Sequence, residues 1–284
     1  MIPFSPPRID DKVVNEVTEA LKSGWITTGP RTKLFEKKIA KYCNVNNVLA
    51  VNSWTAGAEL LLYWFGVNEG DEVIVPVYTY CASANIVMHR GAKVIMVDVN
   101  SDFGIDISKI EKHITSKTKA IIPVDVGGLP IQFDELKAIV NKQEVKEKFN
   151  PQSENQEKLG RIMILSDAAH SFGAKYKGLN VGSEVDFTVF SFHAVKNLTT
   201  AEGGAICINL PKPFDNSEIY KQLNTLSLHG QNKDALAKTQ KGNWEYDVID
   251  AGFKCNMTDI LASIGLVELE RYDSETLPVR KRIF

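Results

Sequence analysis

The sequence predicts an α/β protein whose mostly parallel sheet is sandwiched between helices. Short apolar runs rich in β-branched residues alternate with helical patterns from residue 47 onward. The runs are apolar along their whole length, which is typical of strands covered by helices on both faces. The 284-residue chain is also 44% hydrophobic and 24% charged, enough for a substantial core. In such a fold we expect ligands at the carboxyl ends of the strands.

The amino-terminal segment is predicted to be an amphipathic helix followed by a turn. Asp10 and Asp11 precede apolar residues at helical spacing up to Leu21, and Gly24 comes after them. Carboxylates before a helix and a glycine behind it are typical capping signals. The next stretch, GWITTGP, has the composition of a turn.

Strand and helix patterns then alternate. The strands are NVLAVNS, EVIVPV, KVIMVDV, KAIIPVDV and RIMILSDA, and the helices between them are TAGAELLLYWF, CASANIVMHR, DISKIEKHI and FDELKAIVNKQ. Residues 141–160 are polar and charged, so we expect a solvated excursion there. Two further strands, DFTVFSF and GGAICINL, enclose Lys196, and MTDILASIGLVELERYD has apolar residues at helical spacing.

Charge, cysteine spacing and hydropathy exclude several classes of protein. The 33 Lys and Arg against 35 Asp and Glu give a net charge of -2, which does not favour nucleic acid or an anionic membrane. The four cysteines form no CxxC pair, so no metal site or disulfide framework is indicated. The first residues, MIPFSPPRIDDKVV, do not have the basic-then-apolar layout of a signal peptide, and no apolar run approaches the length expected of a membrane span. We expect a cytoplasmic protein with reduced cysteines.

Two strand ends carry groups that could bind a ligand. Ser53 and Thr55 stand where a strand meets a helix, and the free N–H groups of a helix start favour an anion. A hydroxyl there is, however, more often only an N-cap. Asp167 ends the strand MILSD, and His170 follows it. Taken alone, the carboxylate either faces a ligand or caps the next turn, and a lone histidine is usually structural.

An aromatic pair and a lysine follow two other strand ends. Tyr78 and Tyr80 could cover a flat ligand or pack in the core, and Lys196 lies in SFHAVKNLTTAEGGA. Together with the anion pocket and the carboxylate, they match the demands of pyridoxal phosphate, which needs an amine for covalent attachment, an acid at its ring nitrogen and donors for its phosphate. Neither GxGxxG after a strand nor GxxxxGK[ST] is present, which argues against dinucleotides and nucleoside triphosphates.

In these motifs the chain resembles the DegT/DnrJ/EryC1/StrS sugar aminotransferase family of fold-type I pyridoxal-phosphate enzymes. The similar blocks occur in family order and are GWITTGP, NSWTAGAELLL, VPVYTYCASANIV, DAAHSFGA, SFHAVKNLTTAEGGA and GFKCNMTDILASIGLVELERYD. The resemblance implies a pyridoxal-phosphate-dependent transfer of an amino group from an amino acid, glutamate, to a keto group of a nucleotide-linked sugar, for cell-surface polysaccharide or other amino-sugar biosynthesis. A non-catalytic sensor that binds the same cofactor is the alternative.

The resemblance also implies roles for individual residues. Lys196 and Asp167 match the catalytic pair, the lysine that carries the cofactor and the acid at its ring nitrogen. Tyr80 matches the aromatic that stacks on the ring, and His170 matches the contact to the phenolic oxygen. The phosphate would be bound by Thr55, the Ala56 amide, Ser191 and, from the neighbouring subunit of a homodimer, Asn256. The substrate side would be lined by Thr27, Thr28 and Gly29. His193 receives no role.

Some features of the chain depart from the family pattern. Asp125 stands where the family usually has a histidine, which would alter substrate contacts, and some relatives carry the asparagine of Asn256 two positions earlier, at Lys254. Relatives also continue beyond residue 284. We therefore expect residues 1–250 to form the cofactor-binding large domain and residues 251–284 to begin a small carboxyl-terminal domain that is largely missing, with residues 1–25 packing against it.

Overall fold

The structure, a computed structural model, describes residues 6–232 and 245–283. The helices in these residues are α1 (Asp11–Lys22), α2 (Pro30–Tyr42), α3 (Trp54–Phe65), α4 (Ala82–His89), α5 (Ile107–Ile110), α6 (Phe133–Asn141), α7 (Gln143–Lys148), α8 (Glu154–Leu159), α9 (Asn216–Leu226), α10 (Asp259–Glu270) and α11 (Leu277–Ile283). The strands are β1 (Asn47–Val51), β2 (Glu72–Pro76), β3 (Lys93–Val97), β4 (Thr118–Ile121), β5 (Met163–Asp167), β6 (Lys175–Tyr176), β7 (Leu179–Asn180), β8 (Phe187–Ser191) and β9 (Gly204–Ile208).

Seven of these strands form one sheet in the order β1-β9-β8-β5-β4-β2-β3. The pairs from β3 to β8 are all parallel, whereas β9 is antiparallel to both β8 and β1. The predicted mostly parallel sheet is therefore confirmed, and β9 is reversed because residues 192–203 lead back beside β8 without a crossover helix. Since β1, β2, β5 and β8 run in the same direction, their carboxyl ends meet at one edge of the sheet.

Apolar cores cover both faces of the sheet. On one face, Leu61 of α3 and Leu136 of α6 are fully buried among strand residues. On the other face, Phe35 of α2 and Leu266 of α10 pack in one cluster with Phe190 of β8. Helix α10 thus shares a core with the sheet and also contacts α1. The domain boundary expected near residue 250 stays a prediction.

Helix α2 was not among the predicted elements. Pro30 occupies its first turn and Gly29 is its N-cap, which offers no side chain. The buried carboxylate of Asp259 serves instead, accepting hydrogen bonds from the N–H groups of Gly29 at 2.8 Å and Arg31 at 3.0 Å. Thr32 adds its N–H at 2.9 Å and its hydroxyl at 2.7 Å. Because Asp259 is 230 positions away from Gly29 in the chain, no local pattern indicates this cap.

Most residues of the polar stretch 141–160 are exposed, as the predicted solvated excursion requires, but the stretch is partly helical and packs onto the protein at a few positions. It contains α7 and α8, and Val145 and Gln156 are buried. Gln156 Nε2 donates to the carbonyl oxygens of Phe65 at 3.0 Å and Gly66 at 3.2 Å. These carbonyls at the end of α3 lack partners within the helix, so a polar side chain is what the site needs. Composition alone does not reveal such a use of a glutamine.

The cysteines and the apolar segments show no special arrangement. Cys43, Cys207 and Cys255 are buried, Cys81 is exposed, and all four are free. In the part of the chain that the structure describes, no helix combines the length and the apolar character needed to cross a membrane.

Candidate active site

A cavity of about 410 Å³ lies at the carboxyl edge of the sheet. Its walls come from four of the parallel strand ends: Thr55 follows β1, Tyr80 follows β2, Asp167 ends β5, and Lys196 follows β8. His170 and Ser191 line the same cavity. The fold therefore brings together side chains that are up to 141 positions apart in the sequence, from Thr55 to Lys196.

Asp167 presents a buried carboxylate to this cavity. The residue is 4% exposed. Its Oδ2 accepts a hydrogen bond from Ser83 Oγ at 2.9 Å, and its Oδ1 accepts one from the Ala169 N–H at 3.2 Å. Burial raises the pKa of Asp167 to about 6, although these hydrogen bonds and the charge of Lys196 act in the opposite direction. Both donors are neutral, so a cationic N–H in the cavity would stabilise the carboxylate further.

Lys196 has an amine whose charge is disfavoured. Burial lowers the pKa of Lys196, and the negative charge of Asp167 only partly opposes this shift. The backbone around it is held on two sides, because Asn197 Nδ2 donates to the His170 carbonyl at 2.7 Å and an Arg280 guanidinium nitrogen lies 3.4 Å from the Lys196 carbonyl. An amine whose charge is disfavoured loses its proton more readily, which is what a nucleophile or a general base requires.

The start of α3 supplies the anion-binding end of the cavity. Ser53 caps this helix, and its Oγ accepts a hydrogen bond from the Ala56 N–H at 3.1 Å. Thr55 and Ser191 contribute hydroxyl groups to the cavity wall. Ala56 does not line the cavity, and its N–H is already used by the cap. The helix dipole and the remaining first-turn N–H groups favour an anion such as phosphate here.

The glycine pair after Lys196 allows protein segments to approach each other closely. A Cβ atom on Gly204 would lie 2.7 Å from the Ser53 carbonyl carbon and 2.8 Å from the Phe190 carbonyl oxygen. A Cβ atom on Gly203 would lie 2.1 Å from Thr200 Oγ1. These two glycines therefore let β9 and its preceding loop pack against the start of α3 and against β8.

Tyr80 and His170 border the open side of the cavity. The Tyr80 residue is 76% exposed, so its ring is accessible to a ligand instead of being packed in the core. Partial burial lowers the pKa of His170, and the positive charge of Lys196 lowers it further. A neutral imidazole is favoured at this position, where it can share a hydrogen bond with a ligand oxygen.

The remaining predicted residues form a second cluster outside the walls of this cavity. Asn256 Nδ2 donates to Thr28 Oγ1 at 2.6 Å, and the Thr28 hydroxyl donates to the Met257 carbonyl at 2.5 Å. Lys254 Nζ donates to Asn256 Oδ1. Gly29 is covered by the Trp25 ring, which a Cβ atom would overlap. Within one chain these groups, with Thr27, hold the GWITTGP turn against the segment before α10, and their roles toward a ligand stay predictions.

Ser83, His193 and Glu202 are among the residues of the cavity wall that were not predicted to act there. Ser83 contacts Asp167, as described above. His193 and Glu202 both line the cavity, with His193 Nε2 3.7 Å from Glu202 Oε1. Ser83 lies in the first turn of α4, and no nearby residue in the sequence indicates that it bonds to Asp167. His193 and Glu202 are on the connection that carries Lys196, so their nearness to the lysine was the one available signal.

Asp125 does not reach the cavity, contrary to the expectation that it alters substrate contacts. Its buried carboxylate accepts hydrogen bonds from Ser171 Oγ at 2.7 Å and from the Ile131 N–H at 3.2 Å. It therefore ties the segment after β4 to the turn after β5. Burial raises the pKa of Asp125 to about 7, and the two hydrogen bonds only partly oppose this.

The raised pKa of Asp125 makes the stability of the cofactor-free protein depend on pH. An unfolded aspartate titrates near 3.8, but this carboxyl keeps its proton up to about 7 in the folded state. The folded state binds more protons between these values, so the free energy of unfolding falls as the pH rises through them. We expect Asp125→Asn to be more stable than the wild type by roughly 2–4 kcal/mol at about pH 8, and to lose this advantage near about pH 4.

Urea unfolding of both proteins across this pH range measures the difference. Asp11→Asn, which removes an exposed carboxylate from the first turn of α1, is the control and should not reproduce the pH dependence. A stability difference between Asp125→Asn and the wild type that stays constant with pH would show that the Asp125 carboxyl does not titrate as described.

The chemistry of the cavity fits pyridoxal phosphate. Asp167 offers a carboxylate without a bonded cation, as a protonated ring nitrogen requires. Lys196 offers an amine of lowered pKa in the same cavity. The start of α3, with Thr55 and Ser191 near it, offers donors for a phosphate. An acid, an amine and a set of hydroxyl and N–H donors are the kinds of group that the ring nitrogen, the aldehyde and the phosphate of this cofactor require.

Comparison with known proteins gives consistent matches along the chain. The uncharacterized protein MJ1066 of Methanocaldococcus jannaschii is 38% identical over 272 residues, which is 95% of this chain. The spore coat polysaccharide biosynthesis protein SpsC of Bacillus subtilis is 36% identical over 274 residues, or 96% of the chain. The chain spans 64% of the length of each of these two relatives.

A solved structure agrees with these matches. Spr1654 from Streptococcus pneumoniae, assigned as a sugar aminotransferase, has a TM-score of 0.94 and 49% identity in its PMP form, over 100% of this chain and 70% of that one. Its PLP form has a TM-score of 0.89 and 47% identity, over 96% of this chain and 67% of that one. The sequence profile of one family matches residues 7–147 and 154–283. This chain belongs to the DegT/DnrJ/EryC1/StrS aminotransferase family.

Proposed function

We propose that this chain is the cofactor-binding part of a pyridoxal-phosphate-dependent aminotransferase. The amino group would pass from an amino acid, glutamate, to a keto group of a nucleotide-linked sugar. The observation that carries the proposal is that the Lys196 amine and the Asp167 carboxylate face one cavity beside the start of α3. SpsC acts in spore coat polysaccharide biosynthesis and Spr1654 is assigned to sugar amino transfer, which supports a sugar acceptor.

Each residue of the cavity would have a defined task. Pyridoxal phosphate, when bound, supplies an electron-accepting ring that stabilises negative charge on the donor's alpha carbon. Lys196 Nζ would hold the cofactor covalently and move the proton of that carbon. Asp167 would keep a proton on the ring nitrogen, and Tyr80 would cover one face of the ring. His170 would contact the phenolic oxygen of the ring.

The remaining predicted ligands complete this proposal. Thr55 and Ser191 would bind the phosphate at the start of α3, where the helix dipole adds to the attraction. The Ala56 N–H, which is bonded to Ser53 Oγ, would join them only by exchanging that bond for one to the phosphate. Thr27, Thr28 and Gly29 would line the substrate side. Asn256 would reach the site of a neighbouring subunit in a homodimer, which its position outside the cavity of its own chain permits. A cytoplasmic location is part of the proposal and is supported by the four free cysteines.

The test is a pair of half-reactions that are carried out on the purified protein. Glutamate is added to the protein loaded with pyridoxal phosphate, and we expect the cofactor absorbance to change to that of the amine form while 2-oxoglutarate appears. A panel of nucleotide-linked keto sugars is then added, and mass spectrometry should detect an amino sugar from one of them.

The two steps separate the competing functions. A protein that binds the cofactor but leaves it unchanged with glutamate and with every other amino acid would be a sensor. A protein that completes the glutamate step but aminates no sugar would be an aminotransferase with another acceptor. A purified protein that binds no pyridoxal phosphate would overturn the proposal as a whole.

A further inference from the structure

A chain of two hydroxyl groups leads to Asp167, formed by the buried Ser83 in the first turn of α4 and by the half-buried Thr79 just before that helix. Ser83 Oγ lies 2.9 Å from Asp167 Oδ2, and Thr79 Oγ1 lies 2.7 Å from Ser83 Oγ. Ser83 is fully buried, so water does not replace its hydroxyl. An ionised carboxylate can only accept hydrogen bonds, so the Ser83 hydroxyl must donate its single hydrogen to Asp167. Thr79 must then donate to Ser83, and the two bonds strengthen each other.

We propose that Ser83, supported by Thr79, is a positioning residue that holds the Asp167 carboxylate as an oriented, ionised acceptor for the ring nitrogen of the cofactor. The inference rests on the proposed function for its catalytic meaning. Ser83 donates to Oδ2 of Asp167, and the Ala169 N–H donates to Oδ1 at 3.2 Å. Because each carboxylate oxygen has its own donor, the carboxylate cannot rotate freely. Each oxygen keeps a further lone pair, and the residue lines the cavity.

The hydroxyl chain matters because the other influences on Asp167 conflict. Burial favours its neutral form, and the Ser83 hydrogen bond is the strongest of the influences that favour the charged form. Lys196 lies across the same cavity and also favours the carboxylate, whereas the nearby Asp125 carboxyl would repel it when charged. His170, the other titratable group in this part of the cavity wall, is biased toward its neutral form. Without Ser83, Asp167 would hold its proton to higher pH.

The test is a titration of Asp167 in the cofactor-free protein. Carbon-13 NMR of aspartate-labelled protein follows the carboxyl, and its resonance is assigned as the one absent in Asp167→Asn. We expect Ser83→Ala to raise the midpoint by about one pH unit, a roughly tenfold gain in proton affinity. Ser83→Thr, which keeps the hydroxyl, should restore the wild-type midpoint. Thr79→Val should shift it in the same direction as Ser83→Ala but by less.

The matched control is Ser166→Ala. Ser166 is the neighbour of Asp167 on β5 and is equally buried, but its hydroxyl has no hydrogen-bond partner among the described residues. It should leave the midpoint unchanged. The proposal is overturned if Ser83→Ala titrates like the wild type, or if Ser166→Ala shifts the midpoint equally. Circular dichroism checks that each variant is folded. If Ser83→Ala does not fold, the midpoint of Asp167 in Thr79→Val tests the proposal instead.

A second measurement connects the hydroxyl chain to the cofactor. Binding of pyridoxal phosphate should be compared at about pH 5, below both midpoints, where the ionised fraction of Asp167 differs about tenfold; there it should be roughly tenfold weaker in Ser83→Ala than in the wild type. Nitrogen-15 NMR of the labelled cofactor reports the protonation of the ring nitrogen directly. If the wild type binds no pyridoxal phosphate, the proposed function fails. The titration of Asp167 then still decides whether Ser83 lowers the pKa of this carboxyl. Equal affinities with a shifted midpoint would overturn the link to the cofactor.

Discussion

Lys196→Ala is expected to abolish amino transfer and the absorbance band of the lysine-bound cofactor. The variant loses the amine that would hold the cofactor and move the proton, so the rate should fall by at least about 10³-fold, as for the loss of a general base that is also the point of attachment. Cofactor should still bind weakly through Asp167 and the start of α3. Absorbance spectra and steady-state transfer rates measure the two effects.

Two further variants define the role of the amine. Lys196→Arg keeps a cation but no nucleophilic amine, and it should be as inactive as Lys196→Ala. Lys37→Ala removes an exposed lysine from α2 and should leave both measurements unchanged. Because burial already disfavours the charge of Lys196, removing it should not unfold the protein. Turnover by Lys196→Ala would assign the chemistry to another group.

Asp167→Asn should separate stability from activity. The charged carboxylate is buried and its pKa is raised to about 6, so its ionisation costs free energy above that pH in the cofactor-free protein. The variant should therefore be more stable than the wild type at about pH 8, by on the order of 1–3 kcal/mol. An amide cannot hold the ring nitrogen in its protonated form, so transfer should fall by roughly 10²-fold or more while part of the cofactor is retained.

The stability is measured by urea unfolding without cofactor, and the activity by the glutamate half-reaction. The pH dependence provides an internal control, because the stability gain of Asp167→Asn should shrink as the pH falls from about 6 and disappear near about pH 3, below the unfolded value of 3.8, where the wild-type carboxyl is protonated in both states. An unchanged half-reaction rate would mean that the carboxylate does not act on the cofactor. A variant that is less stable at every pH would mean that its hydrogen bonds outweigh the burial of its charge.

The family and the sheet could be predicted because their signals are local. Each strand is a short apolar run, and the groups proposed to bind the ligand stand at or shortly after the ends of such runs, as Asp167, Ser191 and Thr55 do. In a mostly parallel sheet these positions share an edge, so the sequence order is enough to predict that they meet. The comparison with Spr1654, solved in its PLP form, supports the predicted cofactor in the same way.

The errors have a common physical cause. Helix α2 lacks a local cap because Asp259 supplies it from the other end of the chain. Gln156 is buried because the end of α3 needs a donor, and Asp125 is buried because Ser171 and Ile131 satisfy its oxygens. In each case a polar group pairs with a distant one, and a polar residue read by itself is assigned to the surface.

The sequence by itself determined the family and the alternation of strands and helices, and it predicts which residues supply the amine and the acid, because these depend on residue type and on neighbours in the chain. Only the tertiary structure decided how charged those groups are. Burial lowers the pKa of Lys196 and raises that of Asp167, and Ser83 opposes the second shift from a helix 84 positions away. A pKa depends on the solvent and on charges in space, and only folding determines which of them lie near a given group.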